Sequence, residues 1–308
     1  MSDSAVGLGR SRLPRVRLVL PLESVPNFSE GRDLATIGAI GDALASFARL
    51  LDVHADEDHN RSVFTIVGDD DALVAALLAG VRVAVERIDL REHEGVHPRV
   101  GAADVVPFVP LRPDDFPRAR AAAEQFARLA ADELDIPVFL YAPPERGPAF
   151  YRRGGTEGLQ RRLGAGELEP HYGPPRLHQT AGGVIAGARA PLIAFNVNLR
   201  GTLEAAREVA AIVRERGGGF RGVRALGVEL RRVGLVQVSM NVEDWEASAL
   251  HEIVARITVE AGSRGAEVVG SEVVGLMPAG AAAAAAGAAL RIDGFDASRV
   301  LEVRLLDD

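Results

Sequence analysis

The sequence predicts an α/β protein made of two βαββαβ units packed face to face. Three observations predict it. A strand–helix–strand–strand–helix–strand order occurs twice, a Gly-, Pro- and Arg-rich segment over 142–190 parts the two copies, and a length of 308 residues suits two compact units able to bury a large core.

In the first copy, apolar alternation marks a strand over about 16–24, and a 3.6-residue period marks a helix over 33–48. Strands follow at 50–54 and 62–68, the second carried by the β-branched run SVFTIVG, then a helix over 70–87 and a strand over 103–109. A further helix at 114–133 and strand at 137–141 extend this half. The second copy reads strand 191–199, helix 202–216, strands 223–230 and 235–242, helix 245–261 and strand 266–276. The run AGAAAAAAGAAL beyond it predicts a closely packed helix. That order is the split βαβ, or ferredoxin-like, arrangement, in which helices cover one face of a mainly antiparallel sheet. The other face of each sheet needs cover, two such units supply it to each other, and the crevice between them is a natural binding site. The segment 142–190 has the length of either a functional loop or a linker, and composition does not separate the two.

Composition narrows the chemistry. With 47% apolar and 25% charged residues the chain is an ordinary globular one, and its net charge of −8 argues against general nucleic-acid binding, which needs a basic surface. No apolar run is long enough for a membrane span, and the first residues do not form a secretory signal, so the expected location is the cytoplasm. There is no Cys, hence no disulfide, thiolate metal site or thiol nucleophile. There is also no Lys, every basic side chain being Arg, which removes Schiff-base and phosphate-loop lysine chemistry. His, carboxylates, hydroxyls and Arg remain, and His is best suited to exchanging protons near neutral pH.

Residues 93–97 read HEGVH and fit the H-E-x-x-H zinc template, which needs an unbroken helix to bring both His to one metal. Gly95 inside the motif and Pro98 directly after it oppose a helix, so 91–102 is expected to be a turn-rich loop, with no metal. In PNFSEGRD (26–33), Asn27, Ser29, Glu30 and Arg32 group around Gly31 just before a helix; anion binding at the helix start and plain capping both fit. His54, Asp56, Asp58 and His59 in DVHADEDHNR suggest a metal or, better, a polar hairpin connection. Asn196, Asn198 and Asn241 lie toward strand ends in the second copy. GLGRSR (7–12) and GGTEG (154–158) fit no nucleotide fingerprint.

Taken together, VPNFSEGRD (25–33), LLDVHADEDHNRSVFTIVGD (50–69), IDLREHEGVHPRVGAADVVPFVPL (88–111), ELDIPVFLY (133–141), RRGGTEGLQRRL (152–163), LIAFNVNL (192–199), VQVSMNV (236–242) and VVGSEVVGLMP (268–278) resemble the glutamate formiminotransferase family. The resemblance spans about residues 20–280. It implies two subdomains, 1–188 and 189–308, facing each other across a folate-binding tunnel, and a homodimer. It also implies transfer of a formimino group between N-formimino-L-glutamate and tetrahydrofolate in histidine breakdown, with tetrahydrofolate as co-substrate. The family's catalytic histidine is that of H-P-R, here His97. The family's folate-contacting stretch matches Gly173, Pro174, Pro175, Arg176, Leu177, His178, Gln179, Thr180, Ala181 and Gly182, and Asn27, Arg189 and Asn198 sit in segments resembling its inter-subdomain site. Arg99 suits a carboxylate or a brace on the loop. His54 stands where vertebrate members carry a substrate-contacting Asp, a departure that bears on glutamate recognition and on the choice of donor. The deaminase domain fused to those members is not expected here, so that any cyclodeamination is expected of a separate protein.

The residue chemistry agrees with that assignment. The pterin N5 must lose a proton as it attacks, the departing glutamate nitrogen must gain one, and a single imidazole can do both. No covalent enzyme intermediate is required, which fits a chain without Cys or Lys. Two other readings stand beside this one: an enzyme processing 5-formyltetrahydrofolate, whose one-carbon group sits on the same nitrogen, and a folate-binding protein without turnover, which the intact HPRVGA disfavours.

Overall fold

The computed structural model describes residues 19–306 apart from 97 and 142–145; the start of the strand expected at 16–24, and His97 itself, lie outside the described residues. The first half opens with β1 (Leu22–Ser24) and β2 (Asn27–Phe28), α1 (Leu34–Ala45), the hairpin β3 (Arg49–Asp56) and β4 (Arg61–Gly68), α2 (Asp70–Arg87) and β5 (Ala103–Pro110). It continues through α3 (Phe116–Leu134), β6 (Val138–Leu140), the short α4 (Pro148–Tyr151), α5 (Gly155–Gly164) and β7 (Val184–Ala188). The second half holds β8 (Ile193–Arg200), α6 (Leu203–Val213), β9 (Val223–Leu230), β10 (Leu235–Val242), α7 (Leu250–Gly262), β11 (Glu267–Val274), α8 (Ala279–Leu290) and α9 (Leu301–Leu306).

The second sheet has the order β11-β8-β10-β9, all antiparallel, with α6 and α7 on one face. That is the ferredoxin-like arrangement the strand and helix order predicts. The first sheet contains the same pattern, β3-β4-(β1, β2)-β5, but its first strand is broken at Val25–Pro26 and both pieces pair with β4 and β5. Proline has no N–H for a ladder, and its carbonyl instead accepts from Phe64 N at 3.2 Å. Beyond β5 the sheet gains two parallel strands, β7 and then β6, so the first half is larger than the repeat. The strand β7 was hidden in the Gly-rich stretch AGGVIAGARA: five buried residues are too short and too small to signal a strand by period.

Helix starts follow from side-chain capping. Asp33 accepts from Ala35 N at 3.0 Å, Asp69 from Ala72 N at 2.9 Å and Thr202 from Ala205 N at 3.1 Å. The helix expected at 245–261 begins only at Leu250, because 244–249 close the turn from β10: Ala247 N donates to Asp244 Oδ1 at 3.2 Å and Ser248 Oγ to Arg221 O at 2.7 Å. The Ala run forms α8, with Ala281, Ala283 and Gly287 buried.

Helices α1, α2 and α3 press one core against the first sheet, including Phe28, Phe64, Ile66, Leu77, Phe108 and Phe126, all fully buried. The opposite face of that sheet is divided. Around β5–β7–β6 it is sealed by Tyr151, Leu159 and Leu163 of α4 and α5 against Val105, Phe139 and Ile185. Around β3 and β4 it meets the second half. There the helix-free face of the second sheet carries a polar row. Gln237 on β10 is fully buried and donates both amide hydrogens, to Asn198 Oδ1 and to Glu272 Oε1, each at 2.9 Å. Asn196 donates to the same Glu272 oxygen at 2.9 Å. The Gln237 oxygen meets His59 Nε2 of the β3–β4 turn at 3.1 Å, so the network assigns the imidazole hydrogen to Nε2. Arg232 pairs with Glu57, and its N–H donates to Asp58 Oδ1 at 3.0 Å.

Two outcomes are expected. A Cβ at Gly101 would stand 2.0 Å from Gly183 O, so Gly101→Ala should cost ~1–3 kcal/mol or more in denaturant unfolding; unchanged stability would show that the two segments separate freely. Burial, then the Arg61 charge, push the His59 imidazole below its ordinary value of 6.5. The unfolded chain therefore binds that proton more readily than the folded one, and stability, full above the ordinary imidazole value, declines as the pH falls through it. The melting temperature should drop by roughly 2–4 °C per kcal/mol lost as pH falls from about 7.5 to 5.5, with a shallower drop in His59→Gln.

Candidate functional site

The site grows from the β3–β4 turn. Asn60 takes a left-handed backbone, φ 46°, which Asn tolerates better than most residues, and its groups tie down three segments. Asn60 Oδ1 accepts from Gly31 N at 2.9 Å, and Asn60 Nδ2 donates to Glu94 O at 2.9 Å. Its backbone oxygen takes Arg99 Nη1 at 3.2 Å and lies 3.0 Å from His93 Nε2. Two motif glycines allow this closeness. A Cβ on Gly31 would fall 2.2 Å from Asp56 O, and one on Gly95 2.4 Å from His59 O.

Residues 91–96 form turn and coil, so no helix presents the HEGVH side chains to one metal. Among the described residues no group of three or more His, Asp or Glu side chains is placed to hold a metal ion. His93 is held below its ordinary value by burial and then by Arg99. Arg99 also donates Nη2 to His59 O at 3.0 Å, so the guanidinium braces this loop against the hairpin.

The segment matching the folate-contacting stretch is hydrogen-bonded to the chain just after H-P-R. Ala102 N donates to Ala181 O at 2.8 Å, Gly183 N to Val100 O at 2.9 Å and Leu90 N to Thr180 O at 2.9 Å. Within that segment, His178 and Gly182 exchange backbone hydrogen bonds at 2.8 and 3.0 Å, and His178 Nδ1 accepts from Ala181 N at 3.0 Å. Gly173 and Gly182 have φ of 87° and 70°, a region glycine enters without strain. Leu177 and Ala181 are buried anchors, while Pro175, Arg176 and Gln179 are exposed and Pro174, His178 and Thr180 half-buried. Arg176 reaches outward to Asp135 at 3.4 Å.

Asn27 and His54 lie opposite Val63 from its two sides, so all three share the helix-free face of the first sheet. Asn27 Nδ2 donates to Val25 O at 3.0 Å, and both side chains are partly exposed. Asn198 lies on the helix-free face of the second sheet, in the Gln237 row. Arg189 stands apart. It follows β7 and bonds Phe108 O through its N–H at 3.1 Å, seven residues beyond Gly182 and so roughly 23 Å along the strand direction. Its charge is felt there by Glu23, raised by burial, and by Tyr141, pushed up to about 12 by burial.

One feature escaped the sequence reading. Ser29, Arg61, Arg99 and Asp104 line a cavity of about 10 Å³ at the corner between hairpin, loop and β5. Asp104 is buried; its Oδ1 accepts from Val100 N at 2.7 Å, and its Oδ2 accepts from Arg152 Nε at 2.7 Å and from Arg152 Nη2. Burial, then the neighbouring Arg152, push Arg61 down to about 10. Burial likewise holds Arg99 at about 10. The signal in the sequence was HNR directly before a strand, which reads as an ordinary turn.

This assembly of motif loops can be set beside known proteins. The model of the formiminotransferase domain, N-terminal subdomain, matches residues 21–189, and that of the formiminotransferase domain matches 194–293. The chain is 40% identical over 294 residues to a glutamate formimidoyltransferase of Streptococcus pyogenes, covering 92% of this chain and 98% of that protein. It is 38% identical over 294 residues to one of Thermoplasma acidophilum, covering 92% and 97%. A formimidoyltransferase-cyclodeaminase of Rattus norvegicus is 38% identical over 270 residues, 83% of this chain and 50% of that longer protein. With both halves matched in order and nearly the full length of two relatives covered, the chain belongs to the formiminotransferase family.

Proposed function

We propose that this protein transfers the formimino group from N-formimino-L-glutamate to tetrahydrofolate, giving 5-formiminotetrahydrofolate and L-glutamate, with His97 as general acid and base. The observation that carries the reading is the stitching of 100–102 to 181–183. It joins the chain just after H-P-R to the stretch that resembles the family's folate contacts, and relatives across nearly the whole length are named for this transfer.

In the proposed reaction the N5 nitrogen of the pterin attacks the formimino carbon while His97 removes the N5 proton. The tetrahedral adduct then breaks its bond to the glutamate nitrogen, and His97 returns the proton to that nitrogen as it leaves. Such positioned acid–base catalysis is worth ~10²–10⁴-fold. The amidine carbon never bonds to the protein, which suits a chain with no Cys and no Lys. Gly95 and Pro98 set the bend of the loop that aims His97.

Folate lies, in this proposal, in a tunnel between the helix-free faces of the subdomains 1–188 and 189–308. Residues 173–182 hold it, Asn27 and Asn198 approach it from the two sheets, and Arg189 serves its anionic tail at the far end of the first sheet. His54, on the same face as Asn27, contacts the donor. The protein works as a cytoplasmic homodimer. No helix among the described residues is long and apolar enough to cross a membrane.

The test is a spectrophotometric assay with tetrahydrofolate and N-formimino-L-glutamate, run beside 5-formyltetrahydrofolate. The wild type should turn over the first pair, and turnover of 5-formyltetrahydrofolate alone would reassign the substrate. His97→Ala should lower kcat by ~10²–10⁴-fold while folate binding, measured by fluorescence quenching, stays within a few-fold. A variant as fast as wild type would remove His97 from the mechanism.

A further inference from the structure

We propose that Arg61 is the seat of a substrate carboxylate, that of the amino-acid donor. The proposal rests on the transferase reading above and deepens it.

The first step is charge accounting at the cavity. Three guanidinium groups, Arg61, Arg99 and Arg152, gather around one buried carboxylate, Asp104. Asp104 takes its hydrogen bonds from Val100 N and Arg152 and none from Arg61. The other anions that act on Arg61 are Asp56 and Glu272. Asp56 Oδ1 accepts from His59 N at 2.6 Å, and Glu272 Oε1 accepts from Asn196 and Gln237. Arg99 is engaged by the carbonyls of His59 and Asn60. Arg61 remains: among the described residues no side chain or carbonyl receives a hydrogen bond or ion pair from its guanidinium. Arg61 is half-buried; a guanidinium partly desolvated without a partner is costly, and the cost is relieved when an anion arrives.

The second step is shape. A guanidinium N–H is a strong donor to a carboxylate oxygen, and the cavity beside it has about the size of one water, the room one carboxylate oxygen needs. Ser29 closes the wall, its hydroxyl hydrogen already donated to Gly101 O at 2.7 Å, and the Asp104 carboxylate in the lining is held by Val100 N and Arg152, which leaves the Arg61 guanidinium as the group without a partner among the described residues.

The third step is position. Arg99 lines the same cavity and follows His97 by two residues in the chain. In N-formimino-L-glutamate the α-carboxylate carbon is only two bonds from the nitrogen that must leave. In folate, by contrast, the glutamate carboxylates lie at the opposite end of the molecule from N5. A carboxylate held beside the H-P-R loop therefore fits the donor, and its capture by Arg61 would fix the leaving nitrogen in front of the acid.

Arg61→Gln and Arg61→Lys, compared with wild type, test this by steady-state kinetics and by calorimetric titration with L-glutamate. Arg61→Gln should raise the KM for N-formimino-L-glutamate about 10–100-fold, leave the KM for tetrahydrofolate within about twofold and abolish the heat of L-glutamate binding. Arg61→Lys, which keeps the charge and loses the fork, should fall between. An unchanged donor KM together with unchanged glutamate binding overturns the proposal, as does a rise confined to the KM for tetrahydrofolate, which would give the seat to the folate tail. If wild type binds L-glutamate, loses it in Arg61→Gln and yet transfers no formimino group, the seat stands and the transferase reading falls. Should Arg61→Gln fail to fold, as read by its melting curve, Arg61→Lys decides: a donor KM equal to wild type overturns the proposal.

Discussion

A single asparagine holds the site together. Asn60 occupies the left-handed turn between β3 and β4, and from there its side-chain oxygen, its side-chain nitrogen and its carbonyl reach the loop before α1, the loop of H-P-R and the Arg99 guanidinium. Its neighbour His59 reaches Gln237 in the other half. An alanine there would take away the side-chain bonds to two loops and disfavour the turn conformation at the same time. The glycines at 31 and 95 complete the device, because any side chain at either would collide with the hairpin backbone.

Polar groups are concentrated where the two sheets meet. Each sheet buries aliphatic and aromatic side chains under its helices, whereas the second sheet's helix-free face carries the Asn196–Glu272–Gln237–Asn198 row. A satisfied buried network of this kind fixes one arrangement of the halves, since sliding by one residue would orphan several donors together. The guanidinium corner beside it is the opposite case, a place where one cation, Arg61, has no hydrogen-bond or ion-pair partner among the described residues. Stability alone would favour a further acid there or fewer cations, so the arrangement reads as one shaped for a ligand.

Much of the architecture was legible because it is periodic. The strand and helix order of the second half, the pairing of β3 with β4, and α8 all follow from alternation, a 3.6-residue period or alanine content. The turn character of 91–96 followed from Gly95, and the structure gives it a use as close approach to His59 O. What was hidden depends on contacts distant in sequence. The strand β7 is short and made of small residues, and its pairing with β5 spans the loop-rich segment between them, in line with the bonds that carry 180–183 to the chain after H-P-R. Arg61 looked like the edge of a turn, since nothing in HNRSV shows that Asp104 and Arg152 will pair with each other and leave it aside. The late start of α7 had the same origin, a tertiary bond from Ser248 to Arg221 O that outweighs helix propensity.

The chain has one tryptophan, and a Cβ on Gly280 would stand 3.0 Å from the Trp245 ring, which packs against the core of the second half. Its emission is thus a built-in reporter of that half alone, while the far-ultraviolet dichroism averages over both. Comparing the two signals during denaturation measures directly whether the polar seam makes the halves melt as one cooperative body or lets them part in sequence.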